Sequence, residues 1–395
     1  MPRLAGSSKL LRAMNESAAL AHLLEPGMLT RADLRKLTEL STPTISEVLR
    51  RLTDAGLVTV VGYNSGRPGP NAEIYAANPD AAYAVAVSVR DIGTSDAPSV
   101  GAALCDLTGA VRARIESRID FLRADPKTAL VDVVAELRAE AGIPAERIHH
   151  VQLGVAGSYN SKVETIRHVD VPGFGRPGLV PEIAAALGTR VGVDNDVNLA
   201  AVAERRRGVG RDVDGFALLW LGVEGLGLAI DIGGTLLRGA RGGAGEIGYM
   251  PLYAPDSTHR KVDLQDLVGG AAVVALARDN GIAGDTPLEV VVAAAADPEA
   301  AGEFFTELAD RIAVGLAAVI AVLDPSLVVL AGQVAQAGGQ TLLAAVTGAV
   351  RRAAPLESTI AVTTIRDDAV LLGALDAGLT AVREALIASI RDHQA

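Results

Sequence analysis

Three short runs in this sequence hold side chains whose types and spacing could do chemistry. "DNDVN" (Asp194–Asn198) closes the apolar run "RVGV" with two carboxylates and two amides. Polar groups at the end of a strand in an α/β sheet face the ligand crevice. A carboxylate there can act as a base toward a sugar hydroxyl, with asparagines orienting the ring. "GGAGEIGYM" (242–250) surrounds one carboxylate, Glu246, with glycines that let backbone approach a polyol closely. Both runs can equally be Asn/Asp/Gly turns kept for turn chemistry. "DIGGT" (Asp231–Thr235) has the form of an ATP loop, yet it stands past the middle of the chain. Its Asp231 and Gly233-Gly234 are also what a hairpin turn requires.

A fourth run has a different character. "STPTISEVLRR" (Ser41–Arg51) places Thr44, Ser46, Glu47, Arg50 and Arg51 largely off the stripe formed by Ile45, Val48, Leu49 and Leu52. Ser41 or Thr42 can cap this helix, with Pro43 at its first position, where the missing N–H costs nothing. Thr30, with Asp33 three residues on, starts a shorter helix in capping-box fashion. "SSKLLRAMNESAALAHLL" before it has helical apolar spacing. "LVTVVGYNSGRPGPNAEIYAAN" after it reads as a hairpin with a Gly/Pro/Asn tip that carries Arg67 between Gly66 and Pro68. Two helices joined by a tight turn, the second exposing hydroxyls and arginines, followed by a basic-tipped wing, have the order of a DNA-binding helix-turn-helix. Ser41, Thr42, Thr44, Ser46, Arg50 and Arg51 are the candidates for the major groove and its phosphates, and Arg67 for the minor groove.

The remainder must build the scaffold. Strand-like runs at 81–89, 99–111, "HHVQLGV", "RVGV", "GFALLWL", "LGLAIDI", "SLVVLAG" and "TIAVTTI" alternate with helical ones near 126–142, 179–188, 199–210, 309–323 and 367–390. Strands interleaved with helices imply α/β layers, here in two halves with a cleft between them. The apolar run Ile312–Gly332 is broken by Asp324 and Pro325, so it reads as a buried helix and strand and no membrane is expected as a partner.

Composition supports this division. Net charge is −11, but residues 1–80 carry +1 and the rest −12; this is compatible with DNA contact through the head alone, and an ordinary acidic protein explains the total equally well. The one cysteine, Cys105, excludes an internal disulfide and a cysteine-cluster zinc site. A cytoplasmic protein without signal peptide is expected.

The order of motifs carries a resemblance. "RADLRKLTELSTPTISEVLRRLTDAGLV", "GVAG", "VPGF", "VDNDVNLAAVAERRRGVG", "GAGEIGYMPL", "LDPSLVVLAGQV" and "LLGALDAG" together resemble the ROK family of bacterial sugar kinases and sugar-responsive repressors. The resemblance implies an α/β fold: a winged helix-turn-helix (1–78) and a two-lobed, actin-like sugar-kinase body (79–198 and 199–395), with the C-terminal helix packing back on the first lobe. It places the family's catalytic aspartate on Asp196, sugar-binding residues on Asn195 and Glu246, and cleft loops on Gly157 and Gly173. It also shows departures. The first phosphate-loop position reads "RDIGTSDAPS" (90–99), without a double glycine. The second reads "LGVEGLG" (221–227), with Val223 and Glu224 where a Thr hydroxyl is expected, and the adenosine-side Gly-Gly is "AGQ" (331–333). Phosphate loops need small residues so that N–H groups reach the anion. The family's zinc histidine is Tyr249 here, and its cysteine segment is "STHRKVDLQD" (257–266). His259 there reads as a surface residue.

The expectation is therefore a regulator, a repressor of operator DNA, acting as a homodimer or homotetramer. A small molecule such as a sugar or sugar phosphate would bind near Asn195, Asp196, Glu246 and Tyr249. No cofactor, no metal and no catalysis are expected. The alternatives are an active ATP-dependent sugar kinase with a fused head, and a regulator whose body binds no sugar.

Overall fold

The structure, a computed structural model, describes residues 5–25, 27–64, 72–90, 99–160, 162–169, 171–223, 225–252, 262–355, 357–366 and 368–392. The chain begins with helix α1 (Ala5–Leu24), strand β1 (Leu29–Thr30), α2 (Arg31–Thr38) and α3 (Thr42–Asp54). The wing strands β2 (Val58–Asn64) and β3 (Ala72–Ala77) follow and pair with β1 in the order β1-β3-β2. Thr30 and Asp33 form the reciprocal capping box, and Glu39, at φ 57°, ends α2. Ser41, not Thr42, caps α3 by accepting from the Thr44 N–H. Ile45, Val48, Leu49 and Leu52 bury against Ala19, Leu20, Leu23 and Leu34, which fixes the angle between α3 and α1. Arg67 lies outside the described residues.

The body starts with β4 (Tyr83–Val89), β5 (Val100–Asp106), β6 (Val111–Ser117), α4 (Pro126–Ala141), β7 (Ile148–Val155), the hairpin β8 (Ser158–Asn160) and β9 (Thr165–Arg167), α5 (Leu179–Leu187), β10 (Arg190–Asn195) and α6 (Asp196–Arg207). Next come β11 (Gly215–Leu221), β12 (Leu226–Ile232), β13 (Thr235–Leu236), β14 (Pro251–Leu252), β15 (Val262–Asp263), α7 (Leu264–Val268), α8 (Gly270–Asp279), α9 (Pro287–Ala296) and α10 (Gly302–Leu323). The last elements are β16 (Leu327–Ala331), α11 (Gln333–Ala353), β17 (Thr359–Val362) and α12 (Ala369–Asp392). Two five-stranded sheets result, β10-β7-β4-β5-β6 and β13-β12-β11-β16-β17. Each has an antiparallel meander at one side and parallel strands at the other, so the second repeats the order of the first.

The sheets face each other across two helices. Leu371, Ala374, Leu375 and Leu379 of α12 pack on Ala84, Ala86, Ala103 and Cys105 of the first sheet. Val197 and Ala201 of α6 pack on Phe216, Leu218, Ala229 and Val329 of the second. α4 and α5 cover the outer face of the first sheet, and α7 to α11 that of the second. α6 and α12 cross almost backbone to backbone: a Cβ on Gly373 would lie 1.7 Å from the Leu199 carbonyl oxygen.

The run at 99–111 is one strand with a turn, as its sequence reads: β5 ends at Asp106, whose carboxylate accepts from Thr108 and Ala110 to close the turn, and β6 then runs to Ser117. Two details differ from the expectation. The polar run 194–198 contains no turn. β10 passes directly into α6 because Asn195 is both the last strand residue and the N-cap. α8, α9 and α11, in Ala- and Val-rich sequence without a clear apolar stripe, were not anticipated; their faces are defined by the sheet and helices they meet. Among the described residues no helix is long and apolar enough to cross a membrane.

Candidate functional site

The polar run at the end of β10 divides into structural and open groups. Asp194 is buried and saturated: it accepts from Arg238 Nε at 2.9 Å and Nη2 at 2.6 Å, from Asn198 Nδ2 at 3.1 Å and from the Asn195 N–H. Asn195 Oδ1 accepts from the Val197 and Asn198 N–H groups, and its Nδ2 donates to the Gly157 carbonyl at 3.3 Å. One amide hydrogen remains for a ligand. Asp196 Oδ1 accepts from the Val197 N–H at 2.8 Å. Burial, with the charge of Glu246 adding to it, raises the Asp196 carboxyl to about 6. A carboxylate in this state can accept hydroxyl hydrogens and exchange a proton near neutral pH.

Glu246 arrives from the opposite half. Its loop leaves β13 and crosses to the first half: Arg238 pairs with Asp194, and Gly242 lies against the Tyr159 backbone of β8. The Gly245 carbonyl then anchors it to β12 by accepting from the Leu228 N–H at 3.1 Å. Burial raises the Glu246 carboxyl, and His168 opposes that shift. Tyr249 is exposed, and its ring sits 5.2 Å from that of His168 at a tilt of 51°. The structure thus links Asn195 to Gly157, Asp196 to Glu246, Glu246 to His168 and His168 to Tyr249. Gly173 packs against Pro126 at the start of α4. His168 and Arg238 were not singled out from sequence. Each is a polar residue in a loop, and only the fold reveals its partner.

The resemblance implies zinc beside this cleft, and the residues do not fit it. Tyr249 presents a ring to His168 where a histidine ligand is expected. The one cysteine, Cys105, is buried in β5 under α12, with its thiol pushed up to about 12 by burial. Without thiolates a tetrahedral site of that kind has no ligand set. Residues 253–261, with His259, lie outside the described residues.

At the second of the positions where the resemblance implies a phosphate loop, the Gly222 N–H donates to the Gly225 carbonyl at 2.9 Å and the Leu226 N–H to Gln265 Oε1 at 3.3 Å. Arg90, at the end of β4, binds Asp368 ahead of α12 and also reaches Glu116; residues 91–98 and Glu224 lie outside the described residues. Asp231 of "DIGGT" is buried in β12, bound by Arg205, and accepts from the Gly234 N–H. Gly233 and Gly234 have φ 59° and 79°, the values of a tight hairpin turn between β12 and β13.

On α3, Ser41, Thr42 and Arg50 are exposed, and Thr44 and Ser46 partly so. The Ser41 and Thr44 hydroxyls share a hydrogen bond of 2.8 Å, and the Ser46 hydroxyl donates to the Thr42 carbonyl. Arg50 is held by Glu47 at 2.8 Å and Asp54 at 2.6 Å. Arg51 turns inward to Glu47 and to the buried Glu16 of α1. The two arginines hold the Glu47 carboxyl down at about 2. Arg35 and Lys36 on α2 are exposed cations that the sequence reading left out.

Comparisons with known proteins follow this geometry. The xylose repressor of Caldicellulosiruptor bescii is 22% identical over 394 residues, 94% of this chain and 96% of that protein. A bifunctional NanE/NanK enzyme of Brucella suis is 36% identical over 158 residues, 40% of this chain but only 29% of its own length. Among solved structures, a ROK family transcriptional regulator described as a homologue of the E. coli Mlc protein superposes with a TM-score of 0.75 at 21% identity, covering 97% of this chain and 99% of its own. A ROK hexokinase from Thermus thermophilus gives 0.62 at 24% identity, covering 76% and 99%. The Mlc homologue therefore matches the head as well as the body, whereas the hexokinase leaves about the length of the head unmatched. Residues 91–379 match the ROK family, nearly three quarters of the sequence: the chain belongs to the ROK family.

Proposed function

We propose that this protein is a DNA-binding transcriptional repressor whose kinase-like body senses a small polyol and does not phosphorylate it. The observation that carries the reading is the joining of two features. The exposed hydroxyl and guanidinium face of α3 stands on a winged head, and the phosphate-loop N–H groups of the body are bonded internally. The likeness in full length to a xylose repressor supports it. Ser41, Thr42, Thr44, Ser46 and Arg50 would meet the major groove, and Arg67 the minor groove. Arg51, tied to Glu16, would hold α3 on α1. Asn195, Asp196, Glu246, His168 and Tyr249 would surround the effector. Two carboxylates without a guanidinium of their own repel phosphate, so an unphosphorylated sugar fits better than a sugar phosphate. A dimer would present two heads to a pseudo-palindromic operator.

Selection of bound genomic DNA, followed by competition with a sugar panel, tests this reading. A defined operator released by a neutral sugar is the expected result. The kinase reading has one observation in its favour, an Asp196 carboxyl near 6, suited to a general base. ATP-dependent phosphorylation of a sugar, lost in Asp196→Asn, would replace the proposal.

A further inference from the structure

A groove lies where the head meets the body. It is lined by Ala21 and Leu24 of α1, by Glu25 just past that helix, by Arg206 of α6, and by Arg383 and Ile387 of α12, and it holds about 210 Å³. Its walls are mostly apolar, and its charged groups are two guanidiniums on different helices and the single carboxylate of Glu25. Arg383 is half-buried and donates from Nε and Nη2 to the Leu107 carbonyl, at 3.2 and 2.9 Å. No carboxylate lies within ion-pair distance of it among the described residues. Arg206 is exposed and reaches Asp376 only at 3.6 Å, because that buried carboxylate is already bound through both oxygens by Arg207. Glu25 stands at the rim without pairing to either arginine. Burial and the neighbouring Arg206 charge push the Arg383 guanidinium down, and Asp376 and Asp106 offset this only in part. A guanidinium rarely stays this deep without an anion.

We propose that this groove binds a small organic oxyanion, a carboxylate or phosphate monoester on a short apolar body, gripped by Arg206 and Arg383. Planar guanidiniums pair with such oxyanions bidentately, and the aliphatic walls of Ala21, Leu24 and Ile387 take up a short hydrocarbon part. The volume admits a ligand of a few heavy atoms and no nucleotide. Binding would tie α1 of the head to both helices that lie between the sheets. α6 is about 18 Å long. It starts at Asp196, capped by Asn195, and carries Arg206 in its last turn, so the two sites share one rigid element.

The test is calorimetric titration of the full chain with butyl phosphate, butyrate, inorganic phosphate and butyramide at constant ionic strength. Saturable binding of butyl phosphate or butyrate, with none of neutral butyramide, is expected, and the two anions tell phosphate from carboxylate. Arg206→Gln, at an exposed helix end, should keep the wild-type melting temperature and weaken binding at least about tenfold. Arg383→Gln should do the same to binding, and Arg211→Gln, exposed and outside the groove, should change nothing. Absence of saturable binding by both organic anions, equal binding of butyramide, or wild-type affinity in Arg206→Gln would overturn the proposal. Binding of inorganic phosphate alone, unaffected by Arg206→Gln, would mark an adventitious ion only and would also overturn it.

Discussion

Asp196 and Arg50 show how a residue can be chemically apt and still be committed by its neighbours. Asp196 carries a folded-state pKa of about 6 against an ordinary 3.8. Its ionisation therefore opposes folding: the stability is intact below about pH 4 and is lost as pH rises through 6. Asp196→Asn should gain on the wild type by on the order of 1–3 kcal/mol at pH 7 and by nothing at pH 3.5, read from urea midpoints at both values. If the ligand binds the ionised form, the sugar affinity of the wild type should fall below pH 6. Arg50 lies between Glu47 and Asp54, both exposed like itself. Such surface pairs are weak and exchange readily for phosphate. Arg50→Ala should weaken operator binding and lower the slope of log affinity against log salt by about one, whereas Glu47→Gln should strengthen non-specific binding. Unchanged salt slopes in both variants would remove Arg50 from the DNA interface.

At the scale of elements, α6 and α12 matter most. They lie between the sheets, one from each half, and touch closely because Gly373 has no side chain. Gly373→Ala forces the helices apart and should cost about 1–3 kcal/mol, measured as a lowered denaturant midpoint with an unchanged slope. The Glu246 loop is the second such element. It is tied to the first half by Arg238 on Asp194, a buried carboxylate that would lose its partner in Arg238→Met. That variant should bind the effector at least tenfold more weakly, because Glu246 would no longer be held opposite Asp196. Full affinity in Arg238→Met would show that the loop is positioned by other contacts.

For the whole molecule, the question is how an occupied cleft reaches the head. α1 packs on α12 within the core cluster that also includes Ala84 and Ala103 of the first sheet, so head and body share buried surface. A ligand that binds one arrangement of the two halves better than the other shifts the population of head positions by its difference in affinity. A neutral sugar that releases operator should therefore raise the melting temperature, by about 2.7 kcal/mol of added stability at a hundred times its dissociation constant. Its affinity should drop in the presence of operator by the same factor by which it weakens operator binding. A sugar that melts the complex without this reciprocity would be acting outside the cleft.

Much of this was legible in the linear order of residues. The capping box at Thr30, the stripe of α3, the wing and the strand runs are local signals, and local signals survive folding because they depend on neighbours a few residues away. The "DIGGT" run reads as a hairpin turn from its Asp and paired glycines, and that is what β12 and β13 form. Tertiary structure decided the roles within each run. Asp194 and Asp196 are two residues apart, yet one is paired with Arg238 from 44 residues away and the other is raised to about 6 by burial and by the charge of Glu246. Arg50 and Arg51 are adjacent, yet one points to solvent and the other to Glu16. His168 meets Tyr249, and Arg206 meets Arg383, only because distant segments converge. Sequence fixes which charges exist and on which element they ride. Which of them are paired, buried or left open depends on partners far along the chain, and no local pattern encodes those distances.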